Sequence, residues 1–396
     1  MDQVRERRIE HSITSRDLDG FFEHVWSVHP LVGADGSSTR AGRPVSHRLG
    51  PRHTVIEGHT RWPGLQRVPV LGLALAQLAL WRRLVRVAAA VDAIRVGDPY
   101  YQGLIGWALA RRFRVPLVVR VNGNYDAIYA SVGRPAYPRL LRYRWLEKRI
   151  ERFVLSRAAV VAGANEDNRR YAEANGARRE RTTVFRYGNL IDPEHFTEPD
   201  RRASVRDQLG LDGPYLICVG RLEPVKHPED VIDVLAHLRS DPAALPPVTA
   251  LFVGDGEQRP DLERRAAELG LSAGVRFAGN LDQRTIAAAL HEAHAVLAPM
   301  TGRALVEAAL SRTPVVAYDV EWHPEIVEHE RTGLLVPYRD TEAMAAAVQR
   351  LLDDGELRAR LGDDAREATL HLMDPHRLAE VERAAYAFAF GERDHP

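Results

Sequence analysis

The segment Val219-Gly-Arg-Leu-Glu-Pro-Val-Lys226-His-Pro-Glu-Asp230 sets two cations, Arg221 and Lys226, just beyond the apolar run Tyr215–Val219 and the glycine Gly220. A glycine lets backbone approach a ligand closely, and ligands of open α/β sheets sit beyond the carboxyl ends of strands. Two fixed charges in such a place suit a diphosphate, with arginine forking onto oxygens and lysine acting as a point charge. The alternative is a surface turn with incidental charge. Of the 54 basic residues only Lys148 and Lys226 are lysines. In a chain that otherwise uses arginine, a lysine at 226 argues that a guanidinium would not fit there.

A second pattern is Pro299-Met-Thr-Gly302-Arg-Ala-Leu-Val-Glu307-Ala-Ala. A strand ends, Thr301 and Gly302 turn, and a helix begins, so free backbone N–H groups and the positive end of a helix dipole make a second anion site. Glu307 interrupts an apolar helix. It is either a salt-bridged surface residue or a bidentate acceptor for a ribose diol. Two weaker elements are Val253-Gly254-Asp-Gly256, a glycine turn after a strand, and Pro324–Pro337, which reads as a helix, a turn and a buried strand.

These turns need a scaffold, and the pattern around them supplies one. From Pro214 onward, β-branched runs (Tyr215–Val219, Val248–Val253, Val275–Phe277, Ala295–Ala298, Pro314–Ala317) alternate with helix-like segments (Pro228–Arg239, Pro260–Leu269, Gln283–His291, Arg303–Ser311). Strand–helix repetition with short turns predicts a parallel sheet covered on both faces. The first half repeats the theme less regularly. Strands are expected at Val25–Val28 and Thr54–Glu57 around a Gly/Ser/Arg loop, Gly33–Ser46, and at Ala93–Val96, Pro116–Val121, Ala159–Ala162 and Thr183–Arg186. Helices are expected over about 68–91, Tyr101–Phe113 and Trp145–Ser156, a linker around Pro193–Asp212, and a closing helix at Pro375–Phe390.

The 396 residues carry 54 basic and 54 acidic side chains, so the formal net charge is +0 and no nucleic-acid partner is expected. One cysteine, Cys218, excludes an intramolecular disulfide framework and a multi-cysteine zinc site. The most apolar run, Val68–Trp81, is too short to cross hydrocarbon, and Met1–Asp19 has no apolar signal core, so a cytoplasmic location is expected. Asp17 and Asp19 have the spacing of a metal-binding carboxylate pair, and His291 and His294 that of a helical ligand pair, but neither has a third ligand in view; no metal is expected. Charge is uneven at Arg134–Arg157, with Arg134, Arg139, Arg142, Arg144, Lys148, Arg149, Arg152 and Arg157 against Glu147 and Glu151. That arc is either a solvated helix face or a contact for anionic lipid headgroups or a phosphorylated acceptor.

In this order and spacing, Leu216–Asp354 resembles the C-terminal domain of retaining nucleotide-sugar glycosyltransferases of GT-B fold, family 4. Asp92–Phe196 resembles their first domain more loosely, through Val-Gly-Asp98-Pro-Tyr, Pro116–Asp126 and Tyr187-Gly-Asn-Leu-Ile-Asp192. The resemblance implies two Rossmann-like doubly wound domains facing a crevice: residues 1–195 for the acceptor, 196–374 for the nucleotide sugar, and 375–396 crossing back. It implies that Arg221 and Lys226 hold the donor diphosphate, Gly302 the phosphate turn, Glu307 the ribose and the backbone near Asn280 and Leu281 the base, with Gly220, Gly254 and Thr301 also on the donor side. Asp98, Asn122, Tyr125 and Asp126 fall on the acceptor side, and Arg221, Lys226 and Asn122 form the catalytic group. Three departures stand out. Pro299 sits where many relatives have a glutamate, Asn122 where they have a histidine, and the chain opens without an obvious first strand and glycine-rich loop.

The implied reaction is transfer of a hexose or N-acetylhexosamine from a nucleoside-diphosphate sugar, UDP before GDP, to a small-molecule, glycan or lipid-linked hydroxyl with retention. No cofactor or metal is required. An epimerase-like enzyme acting on a sugar nucleotide would keep the diphosphate and ribose residues and form product without an acceptor. A non-catalytic donor-binding subunit would bind and neither transfer nor hydrolyse.

Overall fold

The computed structural model describes residues 11–32, 42–65, 67–136, 143–197, 204–239 and 248–391. Two α/β units face one another. The second is built on six parallel strands: β8 (Tyr215–Val219), β9 (Thr249–Val253), β10 (Val275–Gly279), β11 (Ala295–Ala298), β12 (Val315–Tyr318) and β13 (Leu334–Val336), in the spatial order β10-β9-β8-β11-β12-β13. Successive side chains of a strand point to opposite faces. Tyr215, Ile217, Leu251 and Val253 accordingly pack on one face with Leu290, Leu305 and Val306, while Leu216, Phe252 and Leu297 pack on the other with Ile232, Leu235 and Val348. Covering both faces excludes water from the whole sheet, which is why these strands read as unbroken apolar runs.

The order has a functional consequence. The chain steps from β8 out to β9 and β10, then returns to the opposite side of β8 at β11. The connections leaving β8 and β11 therefore diverge and open a crevice at the carboxyl ends of those two strands. The Gly220 turn leaves β8 and the Thr301 turn leaves β11.

The first unit holds a parallel sheet of β4 (Ile94–Val96), β5 (Leu117–Val121), β6 (Val160–Gly163) and β7 (Thr182–Val184), in chain order. Beside it lies a smaller sheet, β1 (Val25–Val32), β3 (His53–His59) and β2 (Val45–Arg48), in the order β1-β3-β2. β2 pairs antiparallel with β3 and begins inside the stretch expected to be loop. Its four residues, Val-Ser-His-Arg, alternate too briefly to stand out from the Gly/Ser/Arg composition around them. Residues 33–41 of that stretch lie outside the described residues, as do Arg139 and Arg142 of the basic arc and 198–203 of the linker.

A second difference concerns Pro324–Pro337. It holds only the 3-10 turn His323–Glu325, then a loop, then β13. Thr332 Oγ1 accepts from the Glu328 amide at 2.7 Å and donates to the Ile326 carbonyl at 3.1 Å. A side chain that takes up local backbone groups in this way competes with a helix ladder.

The closing helix Pro375–Phe390 starts on the Asp374 cap, which accepts from His376 N at 2.9 Å, and stops at Gly391, whose φ is 81°. It lies on the first unit. Glu382 pairs with Arg95 of β4 at 2.8 Å, Tyr386 packs on Phe22 and Phe185, and Arg383 donates to the Leu18 carbonyl at 3.2 Å. At the crossing, a Cβ on Gly188 would fall 2.2 Å from the Met373 carbonyl, so only glycine lets the chain pass. No helix among the described residues is long and apolar enough to cross a membrane.

Candidate active site

Gly220 leaves β8 in an extended conformation with φ 158°, and a Cβ there would meet open space. Behind it Gly254 follows β9, where a Cβ would lie 1.9 Å from the Gly220 carbonyl, and Gly256, where one would lie 2.2 Å from the Leu222 carbonyl. These two glycines let the loops after β8 and β9 stack backbone on backbone. Gly254 thus supports the donor turn from behind by its packing. The chain then makes a 3-10 turn, Pro224–Lys226, closed by His227 in a left-handed conformation at φ 50°.

The two cations of this turn differ in their surroundings. The Arg221 side chain is 73% exposed and its Nη1 lies 2.7 Å from Glu223 Oε1, so it stands at the rim as one half of an ion pair. Lys226 lies deeper. Among the described residues its Nζ has no hydrogen-bond or ion-pair partner, and burial pushes the ammonium below the usual lysine range, opposed by the field of Glu321. A half-buried cation with no carboxylate in direct contact gains when something anionic joins it.

On the other side of the switch point, β11 ends at Ala298 and the Pro299–Gly302 turn leads into the helix Ala304–Leu310. Gly302 has neither a positive φ nor a neighbour within 4 Å of a Cβ, so nothing within the described protein requires a glycine there. The amides of Gly302 and Arg303 have no protein acceptor among the described residues. Glu307 is 5% exposed and its Oε1 lies 3.4 Å from Arg303 Nε, so the salt-bridge alternative is realised, though by a long contact from a buried carboxylate. Asn280 and Leu281 follow β10 at its carboxyl end, ahead of the Asp282 cap that accepts from Thr285 N at 2.9 Å.

The first unit brings its expected residues to matching strand ends, with different results. Asn122 follows β5, and its Nδ2 donates to the Gly97 carbonyl at 2.9 Å. Asp98 is 5% exposed, and its Oδ1 accepts from Tyr100 N at 2.8 Å. Tyr125 packs edge-on against Tyr100 at 5.0 Å. Asp126 is committed elsewhere: it accepts from Lys148 Nζ at 2.8 Å, from Arg144 Nη2 at 2.5 Å and from Asn175 Nδ2 at 3.2 Å. These contacts, with Asn175 also bonding Lys148, hold its carboxylate well below the usual range against the effect of burial. They also divide the basic arc. Arg144 and Lys148 turn inward toward Asp126 and the fully buried Glu147 and Glu151, while Arg149, Arg152 and the stacked pair Tyr143–Trp145 remain outside.

Three residues after β12 join the site without having been marked in the sequence. Burial raises the carboxyl of Glu321, at φ 48°, above its usual range, with the field of Asp167 of the first unit adding to this and that of Lys226 opposing it. Glu325 reaches across the crevice: its Oε1 accepts from the amides of Glu166 at 2.8 Å and Asp167 at 3.2 Å, and its Oε2 from Arg186 at 2.6 Å. His323 Nδ1 lies 2.9 Å from the Tyr318 carbonyl, and its Nε2 lies 3.2 Å from Thr301 N. The signal was available, because these residues also follow the carboxyl end of a strand beside the switch point.

No group of three or more His, Cys, Asp or Glu among the described residues could hold a metal ion. Asp17 pairs with Arg52 at 3.8 Å, and Asp19 with Arg383 at 3.9 Å and His376 at 3.8 Å. His291 Nδ1 bonds the Ser311 carbonyl at 2.9 Å, and burial pushes His294 down to about 4.

Two Rossmann-like units facing a crevice, with a switch point lined by a lysine and free amides, define a GT-B architecture. Residues 201–368 match the family described as glycosyl transferases group 1, and residues 20–188 match the glycosyl transferase 4-like domain. A D-inositol 3-phosphate glycosyltransferase of Jonesia denitrificans is 31% identical over 71% of this chain and 68% of its own. A 2-deoxystreptamine glucosyltransferase of Streptomyces kanamyceticus is 30% identical over 79% of this chain and 82% of its own. In three dimensions the fold matches sucrose-phosphate synthase of Thermosynechococcus elongatus, with TM-score 0.77, 21% identity and coverage of 99% and 94%. It also matches Anabaena HepE in complex with UDP-glucose, with TM-score 0.69, 22% identity and coverage of 96% and 95%. The chain belongs to the group 1 glycosyltransferases, family 4, and is a glycosyltransferase.

Proposed function

We propose that the protein transfers a hexosyl or N-acetylhexosaminyl group from a nucleoside-diphosphate sugar, UDP first and GDP next, to an acceptor hydroxyl with retention of anomeric configuration. The observation that carries this reading is Lys226, a largely desolvated ammonium at the switch point between β8 and β11 with no direct hydrogen-bond or ion-pair partner among the described residues. The relatives are an inositol-phosphate and a deoxystreptamine transferase, and HepE was captured with UDP-glucose, which supports a nucleotide-sugar donor and a small polyol or glycan acceptor.

In the reaction the bond from the anomeric carbon to the β-phosphate oxygen breaks, and a bond to the acceptor oxygen forms on the same face. The acceptor's proton leaves with the diphosphate. Charge developing on that phosphate meets Lys226 and the amides of Gly302 and Arg303, already oriented, with Arg221 at the rim; preorganised donors of this kind lower the barrier without reorganisation. Glu307 accepts from the ribose hydroxyls, and Asn280 and Leu281 meet the base. Asn122 hydrogen-bonds the transferred sugar at the floor of the crevice, and Asp98 orders that floor. No cofactor or metal is required, since cationic and amide groups are in place to take the phosphate charge. The outward face bearing Tyr143, Trp145, Arg149 and Arg152 would rest on an anionic membrane surface, with the protein on the cytoplasmic side.

A thermal-shift and calorimetric screen of UDP, GDP and their sugars, with and without EDTA, tests the reading. A binding signal for one nucleotide that survives EDTA and is lost in Glu307→Ala supports it, and no binding by any nucleotide overturns it. Product without an acceptor would indicate the epimerase. Donor binding with neither transfer nor hydrolysis would indicate the non-catalytic subunit.

A further inference from the structure

The 3-10 turn His323–Glu325 leaves β12 beside the donor site, and its two ends touch different parts of the machinery. His323 is 1% exposed. Its Nδ1 faces the Tyr318 carbonyl at 2.9 Å, and because a carbonyl only accepts, Nδ1 carries the proton. Burial holds the ring neutral by lowering its proton affinity, so Nε2 is an acceptor and takes the Thr301 amide at 3.2 Å. The Thr301 carbonyl, also 3.2 Å from Nε2, would gain a bond only if the ring were charged. Tying back the Thr301 N–H leaves the next two amides, Gly302 and Arg303, as the free donors of the turn.

At the other end, the partners of the Glu325 carboxylate among the described residues all lie in the first unit: the opening amides of the helix Glu166–Ala174 and the Arg186 guanidinium, both halves of that ion pair less than a fifth exposed. Proline at 324 fixes φ between the two contacts and keeps the turn stiff. A rigid three-residue turn therefore joins the phosphate amides to the opposite wall of the crevice.

We propose that His323 and Glu325 are positioning residues that couple closure of the crevice to the aim of the Gly302 and Arg303 amides at the donor diphosphate. When Glu325 is seated on the first unit, His323 holds Thr301 in the register that presents those amides; when the crevice opens, the brace on the turn relaxes. This rests on the donor reading above, and the experiment separates the two.

UDP affinity, or GDP affinity if the wild type prefers it, is measured by calorimetry, and hydrolysis of the matching glucose nucleotide gives KM and kcat, for His323→Gln, His323→Leu, Glu325→Gln and the double variant His323→Leu/Glu325→Gln. Leucine keeps bulk and removes the acceptor, and nucleotide affinity falls about tenfold, the effect of one well-placed hydrogen bond. Glutamine restores an acceptor to Thr301 and holds affinity within about threefold of wild type, a rescue that a purely packing role would not show. Glu325→Gln lowers kcat more than it raises KM. The double variant is no worse than about threefold beyond the poorer single variant, because coupled residues are not additive. Wild-type affinity in His323→Leu, equal losses in the Gln and Leu variants, or fully multiplied losses in the double variant would each overturn the proposal. If Lys226→Ala binds nucleotide as the wild type does, the donor reading falls and this inference with it; if only the His323 variants bind normally, this inference falls alone.

Discussion

The crevice has two walls of opposite character. On the second unit, the wall proposed to take the donor keeps groups uncommitted among the described residues: Lys226 with no direct hydrogen-bond or ion-pair partner, Gly302 and Arg303 amides without acceptors, and open space at Gly220 and Gly302. On the first unit, the wall proposed to take the acceptor is bonded to itself. Asp98 accepts from the Tyr100 amide, Asn122 donates to the Gly97 carbonyl, and Asp126 is shared by Arg144, Lys148 and Asn175. A wall with unspent charge binds by electrostatics. A wall with satisfied charge offers shape and the hydrogen-bonding capacity left over, so on the proposed function it would discriminate between acceptors more than attract them.

The sharpest way to break this contrast is to remove one side chain from each wall. Lys226→Ala should weaken nucleotide binding by about a hundredfold, the scale of a lost charge-assisted contact to phosphate, while Asn122→Ala should leave it within about threefold; calorimetry on both variants decides. Equal losses would mean that the walls do not divide the work.

The acceptor wall should reveal itself through stability. The Glu151 carboxyl is pushed up to about 7 by burial, against the opposing fields of Lys148 and Arg144. Between the ordinary carboxylate range and that value the folded protein holds a proton that the unfolded chain has released, so this group's contribution to stability falls as pH rises. Glu151→Gln, which keeps an acceptor for the Tyr171 hydroxyl, should lose less stability than wild type between pH 5 and pH 8 in urea unfolding. Asp126→Ala should cost about 1 kcal/mol in the same assay, because its carboxylate is half exposed, and should leave nucleotide affinity unchanged. The smallest expected effect is at the surface. Trp145→Ala should reduce co-sedimentation with phosphatidylglycerol vesicles a few-fold at low salt, and an unchanged bound fraction would remove the membrane from the partners of this protein.

The residues proposed for the donor stand out in the sequence because each lies in a short turn of its own, Arg221 and Lys226 in one and Gly302 and Glu307 in another. Arg221, Lys226, Gly302 and Glu307 each follow a run of β-branched residues, and the rule that ligands gather at strand ends collects them without coordinates. Gly254 shows where that reading needed structure. It lies in the same neighbourhood, yet its need for glycine comes from the Gly220 carbonyl behind it. The acceptor side was harder to read, because Asp126 looks available in sequence and is claimed by Lys148, 22 residues away, and Asn175, 49 residues away. His323 and Glu325 were missed for a related reason: their partners, Thr301 and Glu166, lie 22 and 159 residues distant.

What the sequence determined by itself was the alternation of strands and helices, the order of the turns and the chemistry each turn could offer. Those depend on local propensity and on hydrophobic period, both written in consecutive residues. Which charges stay free is a different kind of fact. Lys148 and Lys226 are the same residue type in the same chain, yet one is spent on Asp126 and the other has no direct hydrogen-bond or ion-pair partner among the described residues. Tertiary structure decided that, because a charge is satisfied or exposed only by what packing brings within a few ångströms of it.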